Sequence, residues 1–177
     1  MARVYLSLGS NIDREKSLAN IIFIMDTSGS MGADVDGDTR LEIVQRVATE
    51  VIEESAADPD KDFNIALMSF NGSNGANVDM PMTRLEDATT EFKTVMGDYV
   101  ASGNTPITES LDEALRYLRG ESPLYGASSV SSSKENGYYK SPITNSCQTN
   151  HIVLFSDGKP TSDQESNINI SQAFNSL

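Results

Sequence analysis

The sequence predicts an α/β fold: a doubly wound, mostly parallel sheet with helices on both faces. Two observations predict it. Two continuous apolar runs, 21–25 and 152–155, have the length and aliphatic composition of buried strands. Segments with apolar residues at helical spacing lie between such runs, and strands that alternate with helices indicate a parallel sheet covered on both faces.

The elements follow in a regular order. The first strand, 21–25, precedes a helix at 41–52, in which apolar residues recur three and four positions apart. Segment 63–70 predicts the second strand, and a loop rich in glycine and asparagine separates it from a short strand near 80–84. The remaining predicted elements are, in order, helices at 85–99 and 107–118, the strand 152–155 and a helix near 168–174.

Oxygen-bearing side chains follow the first strand. Asp26, Ser28 and Ser30 stand at alternate positions directly after the apolar run. One carboxylate and two hydroxyls gathered around a point are hard oxygen ligands, which suit a small hard cation such as Mg²⁺. Serine-rich turns after strands are common, so this pattern needs support from elsewhere in the chain.

Two later segments supply that support. Thr105 precedes Pro106 and a helical pattern, so we expect Thr105 to be the N-cap, with Pro106 at the first helical position and Glu109 in the first turn. Asp157 directly follows the apolar run and Ser156. In open parallel sheets, ligands bind outside the carboxyl ends of the strands. The residues expected to converge there are Asp26, Ser28, Ser30, Thr105 and Asp157.

These five positions resemble the metal-ion-dependent adhesion site of von Willebrand factor type A domains. The resemblance covers roughly residues 19–177. It implies that Ser28, Ser30 and Thr105 contact the metal directly and that the two aspartates often act through water. It also implies that a carboxylate from a protein partner completes the shell, and that the cation is Mg²⁺, with Mn²⁺ or Ca²⁺ as alternatives.

A narrower resemblance points to a biological setting. Segments 147–161 and 102–106, and the helix end at 117–120, are similar to the PilY-type adhesins, which are type IV pilus tip-associated proteins of Gram-negative bacteria. This resemblance implies adhesion or pilus assembly at the bacterial surface, in an extracellular location. The partners that it implies are pilus components or host surface proteins.

Composition excludes some other partners. With 177 residues, 38% hydrophobic and 22% charged, the chain has the size and composition of one globular domain. A formal net charge of −13 argues against nucleic acid and against an anionic membrane surface. No segment approaches the roughly 20 apolar residues of a membrane span. We expect the native signal peptide to be absent, since the apolar stretch 4–9 is too short for one.

Two other functions stay open. An intracellular type A domain of an ATPase or chelatase-type complex would share the metal motif, and the absence of a signal peptide keeps it open. An Mg²⁺-dependent enzyme is the less favoured alternative, because the chain lacks the Gly-x-x-x-x-Gly-Lys-[Ser/Thr] phosphate loop. We interpret the single histidine, His151, as a structural strand residue. We therefore predict a binding module and not an enzyme.

Both ends of the chain depart from the family pattern. Residues 1–16 resemble the N-terminus of a folate-pathway pyrophosphokinase, and we interpret residues 1–18 as an extension of fusion or artefactual origin. A type A domain would continue beyond Asp157 with a strand and a final helix, so we expect residues 19–177 to be a C-terminally incomplete domain. One hypothesis pairs residues 3–8 with the exposed edge of strand 152–155; the alternative is a peripheral N-terminus.

Three further features carry separate expectations. Segment 121–149 lacks regular periodicity and predicts a mobile surface insertion, with a partner-contact loop as the alternative because of Tyr138 and Tyr139. The acidic segment 34–38 does not fit an EF-hand, since its glycine is misplaced, and we interpret it as a solvated loop, with a second cation site as the alternative. Cys147 is expected to be a partly buried thiol, with pairing to another chain or to a missing segment as the alternative.

Overall fold

The computed structural model describes residues 17–158, 160 and 161. Its elements are, in chain order, β1 (Asn20–Asp26), a 3-10 helix (Gly29–Gly32), β2 (Asp34–Val35), β3 (Asp38–Thr39), α1 (Arg40–Ala57), β4 (Asn64–Phe70), β5 (Asn77–Arg84), α2 (Leu85–Gly97), α3 (Ile107–Arg119), a second 3-10 helix (Ser131–Ser133), β6 (Lys134–Glu135), β7 (Tyr138–Tyr139) and β8 (Asn150–Phe155). None of the helices among the described residues has both the length and the apolar character needed to cross a membrane.

Four strands form the main sheet, in the order β5-β4-β1-β8. Strand β1 is parallel to both of its neighbours, β4 and β8, whereas β5 is antiparallel to β4. The prediction of a mostly parallel α/β sheet is therefore confirmed, with one antiparallel strand. That strand begins at Asn77 and is longer than the short strand expected near 80–84.

Each face of the sheet packs against helices, because side chains alternate along the strands. Ile22 and Ile24 of β1 face α3, whose buried residues include Ala114 and Leu118. Phe23 and Met25 face the opposite layer. That layer is built on α1 and α2, with Ala48, Ile52, Leu85, Ala88, Phe92 and Met96. Helices therefore cover both faces, as the sequence predicts.

A row of amides crosses the amino ends of the three parallel strands. Asn20 pairs in register with Asn64 on one side and Asn150 on the other. The Asn64 amide donates to Asn20 Oδ1 at 2.9 Å, and Asn20 Nδ2 donates to Asn150 Oδ1 at 2.9 Å. Gln148 also donates to Asn20 Oδ1, at 3.0 Å. Since Asn20 is fully buried, a shift in register would leave these polar groups without partners.

We expect Asn20→Ala to lower the free energy of unfolding by about 2 kcal/mol, because it removes the buried acceptor that the side-chain amides of Asn64 and Gln148 share. Urea denaturation followed by circular dichroism would measure the loss. The matched control is Asn74→Ala in an exposed loop, where a change within about 0.5 kcal/mol is expected. Equal losses in the two variants would show that the amide row does not stabilise the sheet.

Segment 121–149 is anchored to the core by Tyr139. Tyr139 is 3% exposed, and its hydroxyl donates to Glu113 Oε1 of α3 at 2.7 Å. Glu113 is also fully buried, and its Oε2 accepts from the backbone N–H of Tyr125 at 2.8 Å. The alternative of a partner-contact loop does not hold for Tyr139, because its hydroxyl is bound to this buried carboxylate, whereas Tyr138 is 57% exposed. Mobility elsewhere in the segment stays a prediction.

Other expectations have mixed outcomes. The acidic segment 34–38 folds into the small β2–β3 hairpin, in which Asp36 and Gly37 adopt positive φ angles. Cys147 is exposed and not partly buried. Its N–H donates to Asn145 Oδ1 in a tight turn, and the neighbouring Gln148 takes the buried position. The hypotheses on residues 1–16, on strand pairing by 3–8 and on a helix near 168–174 lie outside the described residues.

Candidate metal centre

Asp26 is the last residue of β1 and is fully buried. Its Oδ1 accepts the backbone N–H of Ser28 at 2.8 Å, and its Oδ2 accepts the hydroxyl of Ser156 at 2.6 Å. Ser156 directly follows β8, the parallel neighbour of β1. The carboxylate therefore joins the two loops that leave the carboxyl ends of adjacent strands.

The two serines of the first loop point towards Asp157. Ser28 Oγ lies 3.2 Å from Ser30 Oγ, and Ser30 Oγ donates to Asp157 Oδ1 at 2.8 Å. The loop is held in place by Thr27, whose N–H and hydroxyl both donate to the carbonyl of Phe70 at the end of β4, each at 3.0 Å. Three neighbouring strand ends thus fix the geometry of this hydroxyl–carboxylate chain.

Thr105 comes from a third loop, which lies against the first one. The N–H of Gly29 donates to the carbonyl of Gly103 at 3.1 Å. Thr105 is not the helix N-cap that the sequence predicts: α3 begins at Ile107, with Pro106 as its cap. The reason is that the Thr105 backbone pairs with Thr161, donating to its hydroxyl and accepting its N–H, both at 3.0 Å. The expected place of Glu109 in the first turn is confirmed.

Four of the five predicted residues line one cleft of about 400 Å³ at the carboxyl end of the sheet. They are Ser28, Ser30, Thr105 and Asp157. The fifth, Asp26, does not line the cleft but is hydrogen-bonded to the Ser28 backbone. The structure thus brings all five residues together from three loops.

Two functional candidates escaped the sequence analysis. Ser156 holds Asp26, and its only signal was its place in the Ser-Asp-Gly sequence after the strand. Arg40, the first residue of α1, lines the cleft and forms an ion pair with Asp157. No local signal marks Arg40, because its contact partner lies 117 positions along the chain.

The charges of the site are not fully balanced by side chains. Among the described residues, the ion pairs include Asp157 with Arg40, but none includes Asp26. Desolvation acts to raise the pKa of Asp157, but hydrogen bonds from Ser30 and Arg40, with the charge of Arg40, outweigh it and hold that pKa below its usual value. Both the buried Asp26 and the ionised Asp157 therefore favour a nearby cation.

The donor set fits a small hard cation. It consists of two carboxylates and the three hydroxyls of Ser28, Ser30 and Thr105, all hard oxygen donors. Across the described part of the chain there is no cluster of three or more histidine, cysteine, aspartate or glutamate side chains placed to hold a metal. Zinc sites are typically built from such clusters, whereas the ligands in this cleft are mainly hydroxyls, which suit Mg²⁺ or a similar hard ion.

Gly103 is required for the close approach of the third loop to Asn71, the residue that follows β4. Its φ is +77°, and a Cβ there would lie 1.8 Å from the carbonyl oxygen of Asn71. We expect Gly103→Ala to lower the free energy of unfolding by at least about 1 kcal/mol and to weaken Mg²⁺ binding, because the loop that carries Thr105 must move. Thermal unfolding and calorimetric titration would measure both effects.

The matched control for Gly103 is Gly97→Ala. Gly97 ends α2, and a Cβ there would meet nothing within 4 Å. This change should be neutral or slightly stabilising, since alanine is the better helix former. If both alanine variants behave like the wild type, the loops do not depend on the close approach at Gly103.

Comparison with known families decides the classification. The sequence model of the von Willebrand factor type A domain matches residues 21–159. The chain belongs to this family. Type A domains commonly bind a divalent metal, and the cleft of this type A domain lies at the carboxyl ends of β1 and β8, where its oxygen donors converge.

Several solved structures are similar to this type A domain. The PilB minor pilin from Streptococcus sanguinis is similar with a TM-score of 0.56 at 16% identity, over 81% of this chain and 31% of that one. Its D319A mutant gives a TM-score of 0.52 at 16% identity, over 90% and 46%. BatB from Bacteroides thetaiotaomicron gives 0.44 at 23% identity, over 55% and 45%.

This type A domain spans less than half the length of each of these three chains. At 16% identity, the similarity to the two PilB structures shows the fold alone. Comparison with curated proteins finds no match.

Proposed function

We propose that this type A domain is a divalent-cation-dependent protein-binding module of the bacterial surface, acting in adhesion or in type IV pilus assembly. The observation that carries the proposal is the convergence of oxygen donors from three loops in one cleft. Mg²⁺, or Mn²⁺ or Ca²⁺, would be held by Asp26, Ser28, Ser30, Thr105 and Asp157. When bound, the cation supplies a concentrated positive charge that attracts a carboxylate of a protein partner.

The residues of the cleft suit this kind of capture. Thr105, which is 5% exposed, forms part of the floor, while Ser30 and Gly158 are exposed at the mouth. The fully buried Asp26 supports the cleft through its hydrogen bond to the Ser28 backbone. A partner carboxylate that enters the mouth would lose its water and meet the bound cation in a fixed position, which gives specificity as well as affinity. The hydroxyls of Ser28 and Ser30 are held by hydrogen bonds. These side chains therefore need little further ordering when a cation binds.

The biological setting rests on the resemblance of segment 147–161 to the PilY-type adhesins. The fold shared with a minor pilin is compatible with that setting. We therefore propose an extracellular, pilus-associated location, with pilus components or host surface proteins as partners. Fractionation of native cells tests this: recovery of the protein with surface pili supports it, and recovery in a cytoplasmic ATPase complex would favour the alternative type A function.

We also propose that the domain is not an enzyme. The single histidine, His151, pairs with Ile21 near the amino end of β1, whereas Asp26 lies at the other end of that strand. At roughly 3.3 Å per residue, the histidine is on the order of 15 Å from the cleft. It is therefore too far away to act as a base for a group bound beside Asp157.

Calorimetric titration of the chain with Mg²⁺ tests the metal part of the proposal. One binding event per chain is expected, and Ser28→Ala should weaken it strongly because a direct ligand is lost. Ser132→Ala, in an exposed part of segment 121–149, is the matched control and should bind like the wild type. The proposal fails if Mg²⁺, Mn²⁺ and Ca²⁺ all give neither binding heat nor a rise in melting temperature.

The carboxylate part has its own test. A synthetic peptide with one central glutamate should bind the immobilised domain in Mg²⁺ and lose binding in EDTA. The same peptide with glutamine is the control. Equal binding of the two peptides would show that the cleft does not capture a carboxylate.

A further inference from the structure

Arg40 introduces a positive charge of the protein itself into the cleft. Its Nη1 forms an ion pair with Asp157 Oδ2 and lies 3.5 Å from the carbonyl oxygen of Ser30. Arg40 therefore contacts the same carboxylate that accepts the Ser30 hydroxyl at 2.8 Å. All three residues line one cleft.

The position of Arg40 does not serve the helix. Arg40 is the first residue of α1, where the helix dipole is positive and a cation is unfavourable. The helix start is already stabilised by a capping box between Thr39 and Glu42. The backbone N–H of Arg40 donates to the carbonyl of Ala33 at 3.0 Å, which holds the residue beside the metal loop. The contact of its guanidinium is thus with the site and not with its own helix.

A guanidinium and a divalent cation that both lie beside the Asp157 carboxylate repel each other. We propose that Arg40 is an internal competitor of the metal, so that cation binding displaces its guanidinium from Asp157 and Arg40 sets the metal affinity of the cleft. This inference rests on the proposed metal-dependent function. It adds a residue, Arg40, that lowers the affinity of the cleft for the cation, so that a higher cation concentration is needed to fill the site.

The test compares two variants that each remove one positive charge from α1. In Arg40→Gln the competitor is lost, whereas in Arg46→Gln the lost charge is one that pairs with Asp38 at 2.7 Å, in the β2–β3 hairpin. Titration calorimetry with Mg²⁺ at fixed ionic strength should show that Arg40→Gln binds about 5-fold more tightly or better, which corresponds to the loss of one exposed ion pair. Arg46→Gln should stay within about 2-fold of the wild type.

A second measurement uses the wild-type chain, so it does not depend on the folding of a variant. The ¹⁵N guanidinium resonance of Arg40 should shift when Mg²⁺ is added, as the side chain leaves Asp157, while that of Arg46 should not change. An unshifted Arg40 resonance at saturating Mg²⁺ overturns the inference.

The outcomes separate the two proposals. If Mg²⁺ binds the wild type, Ser28→Ala weakens it and Arg40→Gln changes nothing, the metal site stands and only the competition is wrong. Weaker binding by Arg40→Gln also overturns the competition. If Mg²⁺, Mn²⁺ and Ca²⁺ bind neither the wild type nor Arg40→Gln, the metal-dependent function itself fails and the competition fails with it.

Discussion

Replacing Asp26 with asparagine is expected to abolish measurable Mg²⁺ binding while preserving the fold. The amide oxygen can accept the Ser28 N–H as the carboxylate does at 2.8 Å, and the Ser156 hydroxyl can turn to accept from the new amide. The charge alone is lost. Two unit charges 4 Å apart interact by about 4 kcal/mol at an effective dielectric constant of 20, which is roughly a 1,000-fold change in affinity.

Two readouts make this prediction specific. In EDTA, the melting temperature of Asp26→Asn should be no lower than that of the wild type, because a buried charge has been removed. With Mg²⁺ at 100 times its Kd, the wild type should gain about 2.7 kcal/mol and the variant nothing.

Asp38→Asn, in the β2–β3 hairpin, is the matched control and should bind Mg²⁺ normally. If Asp26→Asn retained binding and Asp38→Asn lost it, the cation would belong to the acidic segment 34–38.

The second large effect is expected at Glu113. Glu113→Ala should lower the free energy of unfolding by about 3–4 kcal/mol, because three donors lose their buried acceptor. These donors are the hydroxyl of Tyr139 and the backbone N–H groups of Tyr125 and Leu124, at 2.7, 2.8 and 3.2 Å. Since the chain has no tryptophan, circular dichroism during urea unfolding is the suitable measurement.

Two further variants show which of the contacts between Glu113 and segment 121–149 stabilises the fold. Glu91→Ala, at an exposed position of α2, should cost less than about 0.5 kcal/mol. Tyr139→Phe removes one hydroxyl and should cost about 1–2 kcal/mol. Limited proteolysis should cut segment 121–149 faster in Glu113→Ala. A Glu113→Ala variant as stable as Glu91→Ala would mean that the segment is held by other contacts.

The sequence predicts the fold well where the local composition alone determines which residues are buried. The run 21–25 is apolar on both faces, as a central parallel strand must be. Strand β5 was predicted too short, because Asn77, Asp79 and Pro81 are poor strand formers. Pro81 is tolerated because β5 is the outer strand beside β4 in the described sheet. The burial of Tyr139 depends on Glu113, 26 residues earlier, so local polarity could not reveal it.

For the site, the sequence could predict which residues meet at the edge of the sheet, but not which distant residues contact them. Polar residues at the ends of parallel strands meet at one edge, which is why Asp26 and Asp157 were expected together. The cap assignment of Thr105 failed because its backbone pairs with Thr161, which a local signal at Pro106 cannot show. Arg40 was missed for the same reason. Metal binding itself stays a prediction.

The amide row also bears on the order of folding. Strand β1 takes its two partners from opposite parts of the chain: Asn20 meets Asn64 across 44 positions and Asn150 across 130. Closing the longer loop costs more entropy and repays it only when β8 docks, so this pairing is expected to be a slow and late event. Ser156 and Asp157 arrive with that strand. Cation binding would therefore report the docking of β8 beside β1, and the ligand-binding cleft would form only once that strand has docked.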